Sequence, residues 1–450
     1  MNIYINVEIA ARELDSKLLL ATLAAQRGHS VILSDFNGII EGIKSKALSP
    51  GIFHDKSLTP NKNKISTHKF MIDNGFIVSS IDEENNLINY GYHDFAKNRF
   101  SSKTIDNASS IFGWGSEDVE TLKKIYPKYA SKIHMTGSPR IDLLNSSFAD
   151  YWESPSKNFQ KPYLLIASNC QANNVKSFPD TIKHLKDVGY FKNNLKMFKD
   201  KFDEMAESYK RIYLFIEAIK YLSSKKKGYE IVLRPHPAEN IEAWKIFLED
   251  IPNVHIIRDG SIAPWINNSF ALMHNGCTTA IEATILGKPV VTYMPTKLEH
   301  YTCEVPNSLG YKVKTLDELS NKLNHIFENL QSYSKNDKNE KFNEIISKKI
   351  YIDKNELAAE KIIKIWEKSE KEKFSVKSNL TKFQFHLKKI EFKRAVKKIF
   401  NKIKNPVENY KFPSLVEKDI TIKVKKLKNI LGIEREIYCK LLSERTILIK

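Results

Sequence analysis

Cysteine is scarce in this 450-residue chain: Cys170, Cys277, Cys303 and Cys439 are the four, and no two share a CxxC spacing. That excludes a disulfide framework and a zinc ribbon and points to reduced thiols. Glycine and proline number 16 each, too few for a fibrous or low-complexity protein. No apolar run reaches the ~18–20 residues needed to cross a bilayer. The opening MNIYINVEIAARE has no basic stretch followed by an apolar one, so no secretory leader is expected. Also missing are GxGxxG, a Walker loop, GxSxG, HExxH and a DxD pair placed after a strand. No cofactor and no metal ion are therefore expected.

Hydrophobic residues make up 42% and charged residues 28%, enough to build sizeable cores and too apolar for global disorder. The length implies two or three domains. The net charge of +18 is unevenly placed. Residues 371–450 carry 22 Lys+Arg against 8 Asp+Glu, leaving 49 against 45 for the rest. A nearly neutral body thus carries a basic tail, and the basic balance says little about what the body binds.

Residues 2–8 form an apolar, β-branched run, residues 12–27 repeat apolar side chains at helical spacing, and residues 29–33 are apolar again. Strand, helix and strand within ~35 residues predict a parallel sheet. Further strands are expected at 76–80, 110–112 and 132–135. Residues 151–162 lose periodicity and read as a linker. Beyond it, strands are expected at 163–167, 230–233, 254–257, 270–273 and 289–293, with helices between them and a closing helix at 356–367. The predicted organisation is one α/β domain over 1–150, a second over 163–370, and a basic helical tail over 371–450. In such sheets ligands bind at the carboxyl ends of the strands.

Two strand-end loops of the second half suit an anion. In FALMHNGCTTAIEATILGKPVV an apolar strand gives way to a turn containing Asn275 and Gly276, and a helix begins at Thr278 and Thr279. Helix-start N–H groups and threonine hydroxyls favour a phosphate, and Gly276 permits close backbone approach. Glu282 lies one turn in, placed to accept from ribose hydroxyls. The alternative is a turn whose threonines only cap the helix. In EIVLRPHPAEN two prolines stiffen the loop after the strand and exclude helix. Arg234 and His236 then stand at the strand end, able to contact a phosphate, and His236 is able to protonate a leaving oxygen.

RPHP together with HNGCTTAIEA resembles the His-Pro and Ser/Thr motifs of bacterial sialyltransferases and Kdo transferases, which use CMP-activated ulosonic acids. Residues 3 to about 300 resemble the bacterial surface carbohydrate biosynthesis protein family. Its matches are Glu8 with RELD at 12–15, the 51–56 stretch, DEE at 82–84, Trp114-Gly115 and TGSPRID at 136–142. The resemblance implies a GT-B glycosyltransferase: two Rossmann-like domains facing a central cleft, the nucleotide sugar held mainly by the second, and no metal. It implies that Asp82 or Glu83 deprotonates the acceptor hydroxyl, although the glycine that follows the acidic pair in sialyltransferases is replaced here by Glu84 and Asn85. Three adjacent acids are expected to raise one another's pKa. Glu13 is a candidate for acceptor binding or a nucleophilic role, Asp15 for helix capping, and Arg12 and Arg140 for the acceptor or a sugar carboxylate.

From Leu380 the tail sets Leu380, Phe383, Leu387, Ile390, Val396, Ile399 and Ile403 at three- and four-residue spacing among lysines. That pattern suits a helix lying on an anionic inner membrane face, with residues 380–430 as the contact. A helix packed on the body is the alternative, and nucleic acid is not expected as a partner. The reading is a cytoplasmic, peripheral enzyme of capsule or lipopolysaccharide biosynthesis, with a CMP-linked donor and a glycan or lipid-linked acceptor. Its rivals are a CDP-glycerol glycerophosphotransferase, a UDP-sugar epimerase-like enzyme, and a non-catalytic scaffold.

Overall fold

A computed structural model describes residues 1–155, 159–170, 178–187, 194–225, 227–258, 260–296, 303–330, 340–369, 377–400 and 411–450. The chain forms two compact units. The first comprises Met1–Leu87, Gly91–Trp152 and Asn343–Lys450, and the second Ile88–Tyr90 and Glu153–Phe342.

The first unit begins with six parallel strands: β1 (Asn2–Asn6), β2 (Ser30–Ser34), β3 (Ile52–Asp55), β4 (Ile77–Ile81), β5 (Ser110–Gly113) and β6 (Ile133–Met135). The strands β1 to β5 are buried on both faces, as parallel strands covered by helices must be, while the edge strand β6 leaves Met135 exposed. The register sets Tyr4 between Ile32 and Phe53, and Phe53 beside Val78. The strand β3 escapes the sequence pattern because its short run IFHD ends in two polar residues. Both are satisfied inside: His54 Nδ1 meets Ser79 Oγ at 3.1 Å, and Asp55 accepts from His68, Lys64 and Asn6 at 2.8, 2.7 and 3.0 Å. Burial alone would raise the Asp55 pKa. His68 and Lys64 overcome it and hold the carboxyl well below the usual range.

The second unit carries six parallel strands: β7 (Tyr163–Ala167), β8 (Glu230–Arg234), β9 (Val254–Ile256), β10 (Ala271–His274), β11 (Val290–Tyr293) and β12 (Tyr311–Val313), in the order β12-β11-β10-β7-β8-β9. A 30-residue helix, Leu195–Ser224, precedes β8, and its C-terminal half packs Phe215, Ile219 and Leu222 into the unit's core.

The chain then returns to the first unit. The helix Ala358–Lys368, which the sequence reading assigns to the second half, packs against the helix Ala10–Gln26. Its Trp366 is buried and donates to Ser79 Oγ at 2.9 Å. The tail is not wholly helical either. Its end forms a hairpin, β13 (Cys439–Ser443) and β14 (Thr446–Ile449), that adds antiparallel to β2 and completes the order β13-β14-β2-β1-β3-β4-β5-β6. The hairpin turn has no Asn-Gly or Asp-Gly signal, which explains why the pattern misses it.

The helix Leu380–Phe400 lies on the helix Phe36–Lys44. Phe383 and Leu387 are buried in the core cluster that includes Ile39, Ile43 and Leu48. A Cβ on Gly42 would come within 2.6 Å of Phe383, so glycine is what lets the two helices approach. The apolar stripe of the tail therefore faces the protein. Ile403 and the side chain of Ile399 lie outside the described residues. No helix among the described residues is long and apolar enough to cross a membrane.

Candidate functional site

In an open parallel sheet, the crevice lies where neighbouring strands send their chains to opposite sides. In the second unit that switch falls between β7 and β10, and in the first between β1 and β3.

At the second-unit switch, Asn169 after β7 donates to the Gly276 carbonyl at 2.9 Å. Gly276 has φ +69°, the left-handed region that its missing Cβ permits, and its N–H donates to Asn307 Oδ1 at 2.7 Å. Asn275 is buried and donates to the Tyr293 carbonyl at 2.8 Å. His274, behind the turn, is buried and neutral. Burial lowers its pKa to about 3, Thr292 Oγ1 gives its proton to the Leu309 carbonyl, and so His274 Nε2–H donates to Thr292 at 3.0 Å. The helix Thr279–Ile285 then starts. Thr278 makes no side-chain capping bond, and the Thr279 hydroxyl contacts Cys277 Sγ at 3.1 Å. The half-buried threonines thus stand at the helix start without capping it. Glu282 is buried one turn in.

The β8 loop is organised by a residue that the sequence pattern does not single out. Glu239 is buried and accepts from Ser168 Oγ (3.0 Å), Cys170 N (2.9 Å), His236 N (3.3 Å) and Trp244 Nε1 (2.8 Å). It ties the ends of β7 and β8 together. His236 is exposed at the strand end, and its Nδ1 accepts from Ala238 N at 3.2 Å. That bond places the proton of the neutral ring on Nε2. Arg234 is turned inward. It donates to the Arg258 and Gly260 carbonyls at 3.2 and 2.9 Å and lies 5.1 Å from the Trp265 ring centre, so it holds the loop after β9.

A second residue absent from the sequence reading stands at the β10 turn. Arg211, on the long helix, is 5% exposed and gives one Nη1 hydrogen bond, 3.4 Å to Asn275 Oδ1. It lies 64 residues from its partner, so no local motif could have revealed it.

In the first unit the acids following β1 and β4 do meet. Glu13 is fully buried, accepts from Glu8 N and Ile9 N at 3.0 and 3.3 Å, and pairs with Lys17 at 2.6 Å. Lys17 Nζ also donates to the Asn6 carbonyl at 2.6 Å and lies 3.6 Å from Glu83. Burial alone would raise the Glu13 pKa, but Lys17 and the backbone donor hold it below the carboxylate range. Asp82 takes both branches of Arg99, at 2.9 and 2.8 Å, and its carbonyl accepts from Trp114 Nε1 at 3.0 Å. Glu84 meets Arg12 at 3.2 Å and Arg99 at 3.3 Å. Asp15 is claimed by Tyr151 and Lys423, each at 2.6 Å, which replaces the expected capping role.

Glu83 and Glu84 are not both raised, as the sequence suggests, but move in opposite directions. Glu83 is raised, chiefly by burial and further by Glu13, with Lys17, Arg12 and Arg140 pulling the other way. Glu84 is lowered despite partial burial, because Lys56, Arg12 and Arg99 surround it. Arg12 binds acids of its own unit, and Arg140 is near enough for its charge to act on Glu83. Of Glu83 and Glu84, it is Glu83 that combines burial with a pKa moved upward.

No protein-family model matches the chain, and no curated protein matches it. Solved structures do. The chain is similar to a variant of the wall teichoic acid polymerase TagF soaked with CDPG, at 11% identity and TM-score 0.50, over 82% of this chain and 88% of that one. It is also similar to the UDP-GlcNAc 2-epimerase of Neisseria meningitidis bound to UDP-GlcNAc (14% identity, TM-score 0.47, 82% and 100% covered). A third is a glycosyltransferase from Rickettsia africae (12%, TM-score 0.44, 82% and 97%). With two parallel Rossmann-like sheets, the chain has the GT-B-like fold.

Proposed function

We propose that the chain is an enzyme of the GT-B type that uses a nucleotide-activated donor, a transferase or an epimerase-like relative acting in bacterial surface polysaccharide biosynthesis. The observation that carries this reading is His236: rigidly placed at the end of β8, exposed, and with its ring proton on Nε2. That N–H is suited to the phosphate oxygen that gains charge as the bond to the donor group breaks. Thr278 and Thr279 add hydroxyl donors for the nucleotide phosphate, Gly276 lets the backbone turn approach it closely, and Glu282 is assigned to the ribose. Glu83 takes the proton of the acceptor hydroxyl, whose oxygen forms the new bond. Asp82 and Glu13 hold the frame around it. Arg234 acts through the loop it supports. Arg12 and Arg140 are assigned to the charge balance around Glu83.

A CDP- or UDP-linked donor is favoured over a CMP-linked ulosonic acid, because the teichoic acid polymerase that shares the fold was soaked with CDPG. Calorimetric titration of the purified chain with CMP, CDP and UDP separates these readings. Binding of CDP or UDP, weakened at least tenfold by His236→Ala, is the expected result. Selective CMP binding would restore the ulosonate donor, and the absence of all binding would leave a scaffold.

Peripheral membrane association would rest mainly on charge, since Phe383 and Leu387 are buried in the protein and only Phe385 and Phe392 are exposed large apolar side chains on the described part of this helix. The lysines of the helix Leu380–Phe400 would bind anionic vesicles in a salt-sensitive way. Flotation with such vesicles that resists high salt would contradict this.

A further inference from the structure

The turn after β10 is bordered by two buried donors that lack acceptors. Among the described residues, Arg211 Nε and Asn307 Nδ2 have no hydrogen-bond partner. Arg211 is 5% and Asn307 4% exposed. Both are tied to the same turn, Arg211 through Asn275 Oδ1 at 3.4 Å and Asn307 through the Gly276 N–H at 2.7 Å.

A buried guanidinium ordinarily has a carboxylate beside it, because desolvating an unpaired cation costs several kcal/mol. Arg211 has none among the described residues. Glu207, one helical turn earlier and also buried, instead accepts from the Thr296 hydroxyl. The thiols that feel the Arg211 charge do not compensate it. Burial pushes Cys303 up to about 11 and Cys170 higher still, so both stay protonated. Glu239 and Glu204 act on these same thiols, but neither forms an ion pair with Arg211 among the described residues, so the place is rich in donors and short of a direct acceptor. It sits at the β7–β10 switch point, where open parallel sheets bind ligands. The His236 loop stands at the end of β8, two strands away from β10 and so about 10 Å along the sheet.

We propose that Arg211 and Asn307 bind the second phosphoryl group of a nucleoside diphosphate, making Arg211 the residue that selects diphosphate-linked over monophosphate-linked donors. This rests on the nucleotide-donor reading above and narrows its substrate class. Arg211 Nε and Asn307 Nδ2 gain their missing acceptors only when a phosphoryl oxygen enters. A nucleoside monophosphate leaves that place empty.

The test is calorimetric titration of the full chain with CDP, UDP, CMP, UMP and inorganic pyrophosphate, for the natural protein and for Arg211→Met. The natural protein is expected to prefer diphosphates by about 10- to 100-fold, the effect of one charge-assisted contact. In Arg211→Met that preference should vanish, with CMP and UMP affinity changed less than threefold. Its melting temperature without ligand should be equal or higher, because an unpaired buried charge has been removed. A structural role for Arg211 predicts the reverse: lower melting temperature and an intact diphosphate preference. Either an intact preference in Arg211→Met or no preference in the natural protein overturns the inference while leaving nucleotide binding standing. Failure of the natural protein to bind any nucleotide overturns both this inference and the function it rests on. Should Arg211→Met not fold, Arg211→Lys is read in its place. It keeps the charge but loses the fork, so at least a threefold loss of diphosphate preference is expected, and an unchanged preference counts against the proposal.

Discussion

Glu83→Gln is expected to reduce turnover by about 10²- to 10⁴-fold, the range of a lost general base, without lowering the stability of the first unit. Glu83 is a buried carboxyl whose pKa is moved upward by burial and by Glu13, so its ionised form is the strained one and a neutral amide of the same shape fits the site. The pH dependence has a definite sign. A base must be deprotonated to act, so activity should fall as pH drops through the Glu83 pKa, which lies above the ordinary 4.5. Turnover of the nucleotide donor, followed as pH is lowered from neutrality, should show this acid limb in the natural protein and a flat residual rate in Glu83→Gln. Retention of a tenth or more of the activity would remove Glu83 from the mechanism. Asp82→Asn should behave differently, because Asp82 is held by both branches of Arg99; its loss acts mainly on stability.

Lys17→Met is expected to destabilise the first unit by about 3–5 kcal/mol, the loss typical when one partner of a buried ion pair is removed. Lys17 Nζ is the shared cation of Glu13 at 2.6 Å and Glu83 at 3.6 Å, and it also satisfies the Asn6 carbonyl. Methionine fills similar volume but leaves two buried acids without their cation. Chemical denaturation at neutral pH, read by circular dichroism, gives the shift in midpoint. The double variant Lys17→Met, Glu13→Gln should recover part of the loss, since one orphaned charge has gone with the cation. Strict additivity of the two changes would show that the pair is not coupled.

The legible parts of the sequence were those with local causes. The apolar runs at 163–167 and 230–233 place strands almost to the residue, since both-face burial writes itself into a continuous β-branched run. RPHP announces a rigid loop at a strand end because proline restricts itself and its neighbour. The illegible parts were pairings over long separations. Arg99 claims Asp82 from 17 residues away and Lys17 stands near Glu83 from 66 residues away, so the surroundings of each member of the DEE run are set by distant residues. The lysine-rich tail shows the same limit. Its apolar spacing is equally compatible with a membrane surface and with a protein surface, and the seat on Gly42 decides for the latter.

By itself, then, the sequence determined two parallel α/β halves, their strand-end loops and the candidate phosphate turn, because short-range periodicity, proline and glycine act within a few residues of themselves. Only the tertiary structure decided that the chain after residue 343 returns to the first unit, that Arg234 supports a loop while Arg211 faces the turn, and that Glu83 is buried near Lys17. Each of these depends on which distant charge is buried beside which, and burial is a property of the packed chain that no local stretch encodes.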